Sequence, residues 1–199
     1  MLGPAVTLAP GIVKRGIASA LALILALPAG AGAAVHVTQQ GYPVDLADAP
    51  DLNRALSAAS TIREHGRIFH TYTRWFVRWR TFWRSEGGLC VMQRVSTEVD
   101  IEYTLPRPTR LPRRAELRQR YADYLAALRV HEQGHAELAV TAAGQIERAL
   151  MAIPPQADCN TLSEAANRRG HAILEHTRAR ERDYDAATGH GRTQGAHLD

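Results

Sequence analysis

From Arg114 to about Ile153 the sequence repeats apolar residues at steps of three and four, and no other stretch constrains the fold as strongly. Leu117, Tyr121, Tyr124, Leu125, Leu128, Leu138, Ala139, Ala142, Ile146 and Leu150 fall on one stripe of a helix of more than ten turns. The diprolyl Pro154-Pro155 ends it. In the middle of the stripe, where more apolar residues would be the simplest choice, stands "HEQGH", His131 to His135. Imidazoles are mediocre helix formers, and Gly134 costs a helix interior up to about 1 kcal/mol. Residues i and i+4 project the same way, so His131 and His135 can offer two nitrogens to one ion. Glu132, one residue round, reaches the place beside such an ion where a bound water sits. This H-E-x-x-H spacing supplies two zinc ligands and a general base on one rigid element. Two imidazoles and a carboxylate buried together without a metal would be costly.

The rest of the chain reads as a partner for that helix. In 71–84, Trp75, Val77, Trp79 and Trp83 share one parity, and Arg74, Arg78, Arg80 and Arg84 share the other. In 91–105, Val95, Val99, Ile101, Tyr103 and Leu105 alternate with Ser96, Glu98, Asp100 and Glu102. Alternation of this kind marks half-buried strands. "SEGG" at 85–88 makes them an antiparallel hairpin, with arginines facing carboxylates across the outer side. "PRPTRLP" ends the second strand. "DLNRALSAAS", from Asp51, predicts a short helix ending near His65-Gly66, and 35–50 is mixed, with turn signals. "TLSE", Thr161 to Glu164, is a capping box for a second long helix to about Asp183. The fold class is therefore α+β: a small zincin-like domain, with an antiparallel hairpin or sheet packed on the active-site helix and a second, C-terminal helix.

Residues 1–34 differ in kind. Lys14 and Arg15 precede an apolar run from Ile17 to Leu27, followed by "PAGAGAA" with small residues at Ala31 and Ala33. These are the parts of a secretory signal peptide, too short to span a bilayer comfortably. The expectation is a signal at 1–34 and one domain at 35–199, periplasmic or secreted, with no stable membrane span after cleavage. The leader contains no acidic residue, so the remainder keeps 22 basic against 20 acidic side chains. That balance gives no basis for nucleic-acid binding. The two cysteines, Cys90 and Cys159, form an even pair that in an oxidising compartment reads as a disulfide.

The Trp-rich strand, Cys90, "YTLP" at 103–106, "YLAALRVHEQGH" at 124–135, Cys159 and "YDAATGHG" at 184–191 resemble a bacterial domain-of-unknown-function family of predicted secreted zinc-dependent proteases. The resemblance covers most of the chain after the leader, and its most specific motifs are the HExxH helix and YDxxTxHG. It implies a zinc site and a peptide or protein substrate.

A catalytic zinc takes three protein ligands and one open position. The metzincin continuation is missing: Leu138 stands where its glycine would be and Thr141 where its third histidine would be. A helix carboxylate, Glu164 or Glu175, is a thermolysin-like candidate. His190 is preferred, because "TGHG" can fold over a site and matches the family motif, with Asp185 as runner-up. His171 and His176 read as surface or packing residues. Tyr184 is the first choice of donor to a developing oxyanion, ahead of Arg192 and His197. An edge strand at 91–105 could hold an extended peptide by strand addition. The readings are an exported zinc metallopeptidase, a non-catalytic envelope zinc protein, and a zinc amidohydrolase acting on cell-wall peptides.

Overall fold

The structure is a computed structural model that describes residues 33–64 and 66–198. The expected signal peptide falls almost wholly outside the described residues. Five strands and three helices follow in the order β1 (Ala34–Asp45), α1 (Leu52–Ala59), β2 (Ile62–Glu64), β3 (Arg67–Phe69), β4 (Tyr72–Glu86), β5 (Leu89–Arg110), α2 (Ala115–Met151) and α3 (Cys159–Thr188), with a 3-10 turn at Arg192–Gln194. The α+β class holds.

The β4–β5 hairpin is the expected one, longer at both ends. Its loop is Gly87-Gly88, both at positive φ, as a two-residue hairpin turn demands. Val77, Val95, Val99 and Ile101 face inward. On the outer face Arg78 bonds Asp100 at 2.5 Å and Glu98 at 3.5 Å. An irregularity at Phe82/Trp83 shifts the register, so Trp83 pairs with Met92 while Phe82 pairs with Arg94. Inward positions of β5 are consequently even-numbered before it (Cys90, Met92) and odd-numbered after it.

Three expectations change. Residues 35–50 are not merely mixed: β1 lies parallel to β5, giving a sheet ordered β1-β5-β4. β1 shows no burial signal because Ala34–Gly41 is exposed on both faces, and only Tyr42 and Val44 reach the core. β5 is therefore the central strand, and the sheet edges are β1 and β4. β5 also runs on through Pro106 and Pro108 to Arg110. Pairing with β4 begins at Tyr72↔Thr104, so past Thr104 one side of β5 carries no partner. Prolines two apart turn their nitrogens to the same side, and an open edge needs no donor. Finally, α1 stops at Ala59. The Ser60 hydroxyl donates to the Phe69 carbonyl at 2.5 Å, tying the helix end to the small β2–β3 hairpin.

α2 and α3 form an antiparallel pair across one face of the sheet. The N-cap of α3 is Asp158, not Thr161: its carboxylate accepts from the Thr161 amide and hydroxyl, both at 2.8 Å. The disulfide Cys90–Cys159 joins the start of β5 to the start of α3, with Cα atoms 5.1 Å apart. Around it Met92, Val95, Ile146, Leu150 and Leu162 form the larger apolar cluster. A second cluster, of Val44, Leu46, Leu52, Leu56, Tyr121, Tyr124 and Leu128, joins β1 and α1 to the first turns of α2. The histidines of α2 lie between the two. No helix among the described residues is long and apolar enough to cross a membrane.

Candidate metal centre

α3 runs five residues beyond the expected end, to Thr188, before Gly189 caps it in the left-handed region. That extension decides the site. Tyr184 and Asp185 stand on a rigid helix opposite His131 and His135, instead of on a mobile tail. His131 Nε2 and His135 Nε2 are 3.3 Å apart, and Asp185 Oδ1 lies 3.2 Å from the first and 3.1 Å from the second. The sequence favoured His190 for the third corner, with Asp185 second. Among the described residues, the group of three that could hold a metal ion is His131, His135 and Asp185. His190 stands one step back, its Nδ1 3.4 Å from Asp185 Oδ1. It is the one non-glycine residue at positive φ among those described, held between Gly189 and Gly191.

The donor set fits a metal. His131 Nδ1 faces Gln194 Oε1 at 3.1 Å, and His135 Nδ1 faces Glu181 Oε1 at 3.2 Å. These partners are acceptors, so each Nδ1 carries the proton and each Nε2 turns a lone pair toward Asp185. Two lone pairs and a carboxylate then converge with no donor among them. For metal–ligand bonds of about 2.0–2.1 Å, a tetrahedral centre has ligand–ligand edges of about 3.3–3.4 Å. The three observed edges lie within a few tenths of an ångström of that. Without an ion, the triangle must hold a proton. Burial works against charge on His135, yet Asp185 and Glu181 outweigh it and raise the imidazole to about 10. Burial pushes the Asp185 carboxyl up, but His131 and His135 win and hold it well below its ordinary value.

Glu132 is buried beside the pair. Thr71 donates to its Oε1 at 2.6 Å and Thr73 to its Oε2 at 2.5 Å. Tyr184 stacks on His131, ring centroids 5.1 Å apart and planes within 9°. Its hydroxyl donates to the His131 carbonyl at 3.2 Å and accepts from Gln194 Nε2 at 3.0 Å. Gly134 makes room for that ring: a Cβ there would collide with the Tyr184 hydroxyl. The tyrosine thus braces α2 from the side.

A cavity of about 860 Å³ opens over His131, His135 and Asp185, lined also by Glu132, the Thr71–Trp75 stretch of the sheet edge, and β3. Across it His70 is held between Ser57 Oγ at 2.9 Å and the Tyr124 hydroxyl at 2.7 Å, and burial keeps this imidazole below its ordinary pKa. Arg67 of β3 approaches His190 Nε2 at 3.3 Å, and Phe69 meets the same ring edge-on at 5.0 Å.

Several other residues lie elsewhere or do other work. Glu164 pairs with Arg168 and Glu175 with Arg178 on the exposed side of α3. His171 packs against Trp79, as a packing residue should. Sequence reasoning passed over Thr71, Thr73, Glu181 and Gln194. The signal for the threonines was two polar residues at inward strand positions. For Glu181 it was a carboxylate four residues before Asp185, mirroring the histidine spacing on α2.

Fold and site together define a small α+β domain whose buried helix presents a His–Glu–His group that a neighbouring helix completes with a carboxylate. Residues 39–191 match a family described as bacterial protein of unknown function (DUF922), and the chain belongs to that family. No curated protein and no solved structure matches the chain.

Proposed function

We propose that this chain is an exported zinc-dependent metallopeptidase, with His131, His135 and Asp185 as the metal ligands and Glu132 as general base. The triangle of two imidazole nitrogens and one carboxylate oxygen, with a second carboxylate on the next residue, carries this reading. When bound, zinc would supply Lewis-acid polarisation of a peptide carbonyl and an acidified water. Glu132 would accept the proton of the attacking water and return it to the leaving amine. An ionised carboxylate has about four acceptor sites, and the two threonine hydroxyls use one on each oxygen, so Glu132 keeps capacity for that proton. Tyr184 we assign to bracing His131, and His190 to steadying Asp185. The open edge of β4 beside the cavity, rather than the central strand β5, offers an extended peptide a place to pair. The disulfide is compatible with an extracytoplasmic location.

One observation favours a second reading, a non-catalytic envelope zinc protein: both Glu132 oxygens are already hydrogen-bonded inside the fold. Glu132→Gln separates the two. The variant should bind one zinc per chain with unchanged affinity and should lose cleavage of a quenched fluorescent peptide library by at least about 100-fold. Cleavage that survives the substitution, or a wild-type protein that holds zinc and cleaves nothing, moves the assignment to the non-catalytic reading.

A further inference from the structure

β4 is an edge strand, and the inward side of its start, counted from Thr71 immediately before it, is unusually polar. Thr71, Thr73 and Trp75 are spaced by two and share that side. At such positions a strand against a helix usually carries valine, which matches threonine in shape, or isoleucine. Here Thr71 and Thr73 are 5% and 7% exposed, and each hydroxyl goes to a different oxygen of Glu132. Thr73 also reaches the Glu132 carbonyl at 3.3 Å. Two residues along, the Trp75 indole donates to Glu181 Oε1 at 2.6 Å. That same oxygen faces His135 Nδ1 at 3.2 Å. Three donors on one strand face therefore meet the two carboxylates that flank the His–His pair.

We propose that Thr71, Thr73 and Trp75 are positioning residues of the metal centre: the two hydroxyls fix the Glu132 carboxylate, and the indole fixes Glu181, which orients His135. The proposal rests on the metal-site reading and is separable from peptidase activity. A carboxylate buried against an apolar strand would lack partners for its charge, so the hydroxyls and Glu132 need one another. A metal-binding imidazole is oriented by whatever its other nitrogen bonds. Glu181 does this for His135 and is itself held by the indole.

The test uses the full chain and does not require turnover. Trp75→Phe keeps the ring and removes the donor. It should weaken zinc affinity, measured by chelator competition, by about 10-fold, near the lower end of what loss of an outer partner causes. It should also shift the visible absorption of the cobalt-loaded protein. Glu181→Gln, which keeps the shape, should do the same and serves if the tryptophan variant folds poorly. Thr71→Val with Thr73→Val should leave zinc affinity within about 3-fold and lower the melting temperature. The paired serine substitutions should restore that temperature, and Glu132→Met should abolish the difference between threonine and valine. If peptide cleavage is found, the valine pair should lower kcat with little change in KM. Unchanged zinc affinity and an unchanged cobalt spectrum in both Trp75→Phe and Glu181→Gln overturn the indole arm. A valine cost that persists in the Glu132→Met background overturns the hydroxyl arm. A wild type that binds zinc without cleaving peptides refutes only the peptidase reading.

Discussion

The two halves of α2 follow one periodicity and use two chemistries. From Ala139 to Leu150 the inward positions are Ala139, Ala142, Ala143, Ile146 and Leu150, each at most 1% exposed. From Tyr124 to His135 they are Tyr124, Leu128, His131, Glu132 and His135, all buried as well. In the first half any apolar group of the right volume meets the demand, because dispersion and the hydrophobic effect have little direction. In the second half each polar atom needs a named partner at hydrogen-bond distance, and those partners come from the β3–β4 connection (His70, Thr71), β4, α3 and the 3-10 turn. The apolar half, packed in the same cluster as the Cys90–Cys159 link between β5 and α3, holds the helices and sheet in register. The polar half depends on that register for every contact.

The largest expected effect comes from removing a corner of the triangle. His131→Ala, His135→Ala or Asp185→Asn should abolish tight zinc binding, read as loss of metal on dialysis by elemental analysis. His190→Ala should cost about 10–100-fold in affinity, as an outer partner does. Should His190→Ala strip the metal while Asp185→Asn leaves it bound, the histidine is the third ligand after all.

In the apolar half the expected losses are of stability with the site's chemistry intact. Leu150→Ala should destabilise by about 2–5 kcal/mol in chemical denaturation, the usual range for a fully buried leucine. Replacing Cys90 and Cys159 by serine opens a loop of 69 residues and should cost about 3–5 kcal/mol in the chain-entropy account. Both variants, at temperatures where they are folded, should bind zinc as the parent does. A large fall in zinc affinity in folded Leu150→Ala would show that the halves are not separable.

The helix, its interior glycine and its two histidines were legible because their signals are local. Spacing of four on a helix fixes a face, and alternation on a strand fixes a side. What was not legible depends on where elements end and on who meets whom. "TLSE" looks like a capping box, but Asp158 three residues earlier takes the same amide and moves the helix start. At the other end, nothing in "RDYDAATGHG" says that the helix persists to Thr188. That persistence brings Asp185 to the triangle and leaves His190 behind it. β1 was silent for a different reason: a strand exposed on both faces has no burial to imprint a pattern. Thr71 and Thr73 were visible as residues, but their purpose appears only once Glu132 lies opposite.

A further expected effect is on pH dependence, and its sign distinguishes the metal-free from the metal-bound centre. In the metal-free protein the folded His135 is raised from 6.5 to about 10. A raised cationic group stabilises fully below its unfolded value and loses that contribution as pH rises through the folded one. The folded Asp185 is held below its ordinary 3.8, so its contribution is present above that value and fades as pH falls. The pair together therefore favours the metal-free fold most between about pH 4 and 6.5, with stability declining toward pH 10. Zinc reverses the upper limb, since it binds the deprotonated imidazole and competes with the same proton. Melting temperatures measured across pH 5 to 9, with and without saturating zinc, should diverge as pH rises. In His135→Gln, which has no proton to exchange at that corner, the metal-free slope between pH 6.5 and 9 should flatten. A slope that survives His135→Gln would place the titrating group elsewhere than at His135, and not at buried His70. Burial depresses that imidazole, so its own contribution has the opposite sign and rises with pH.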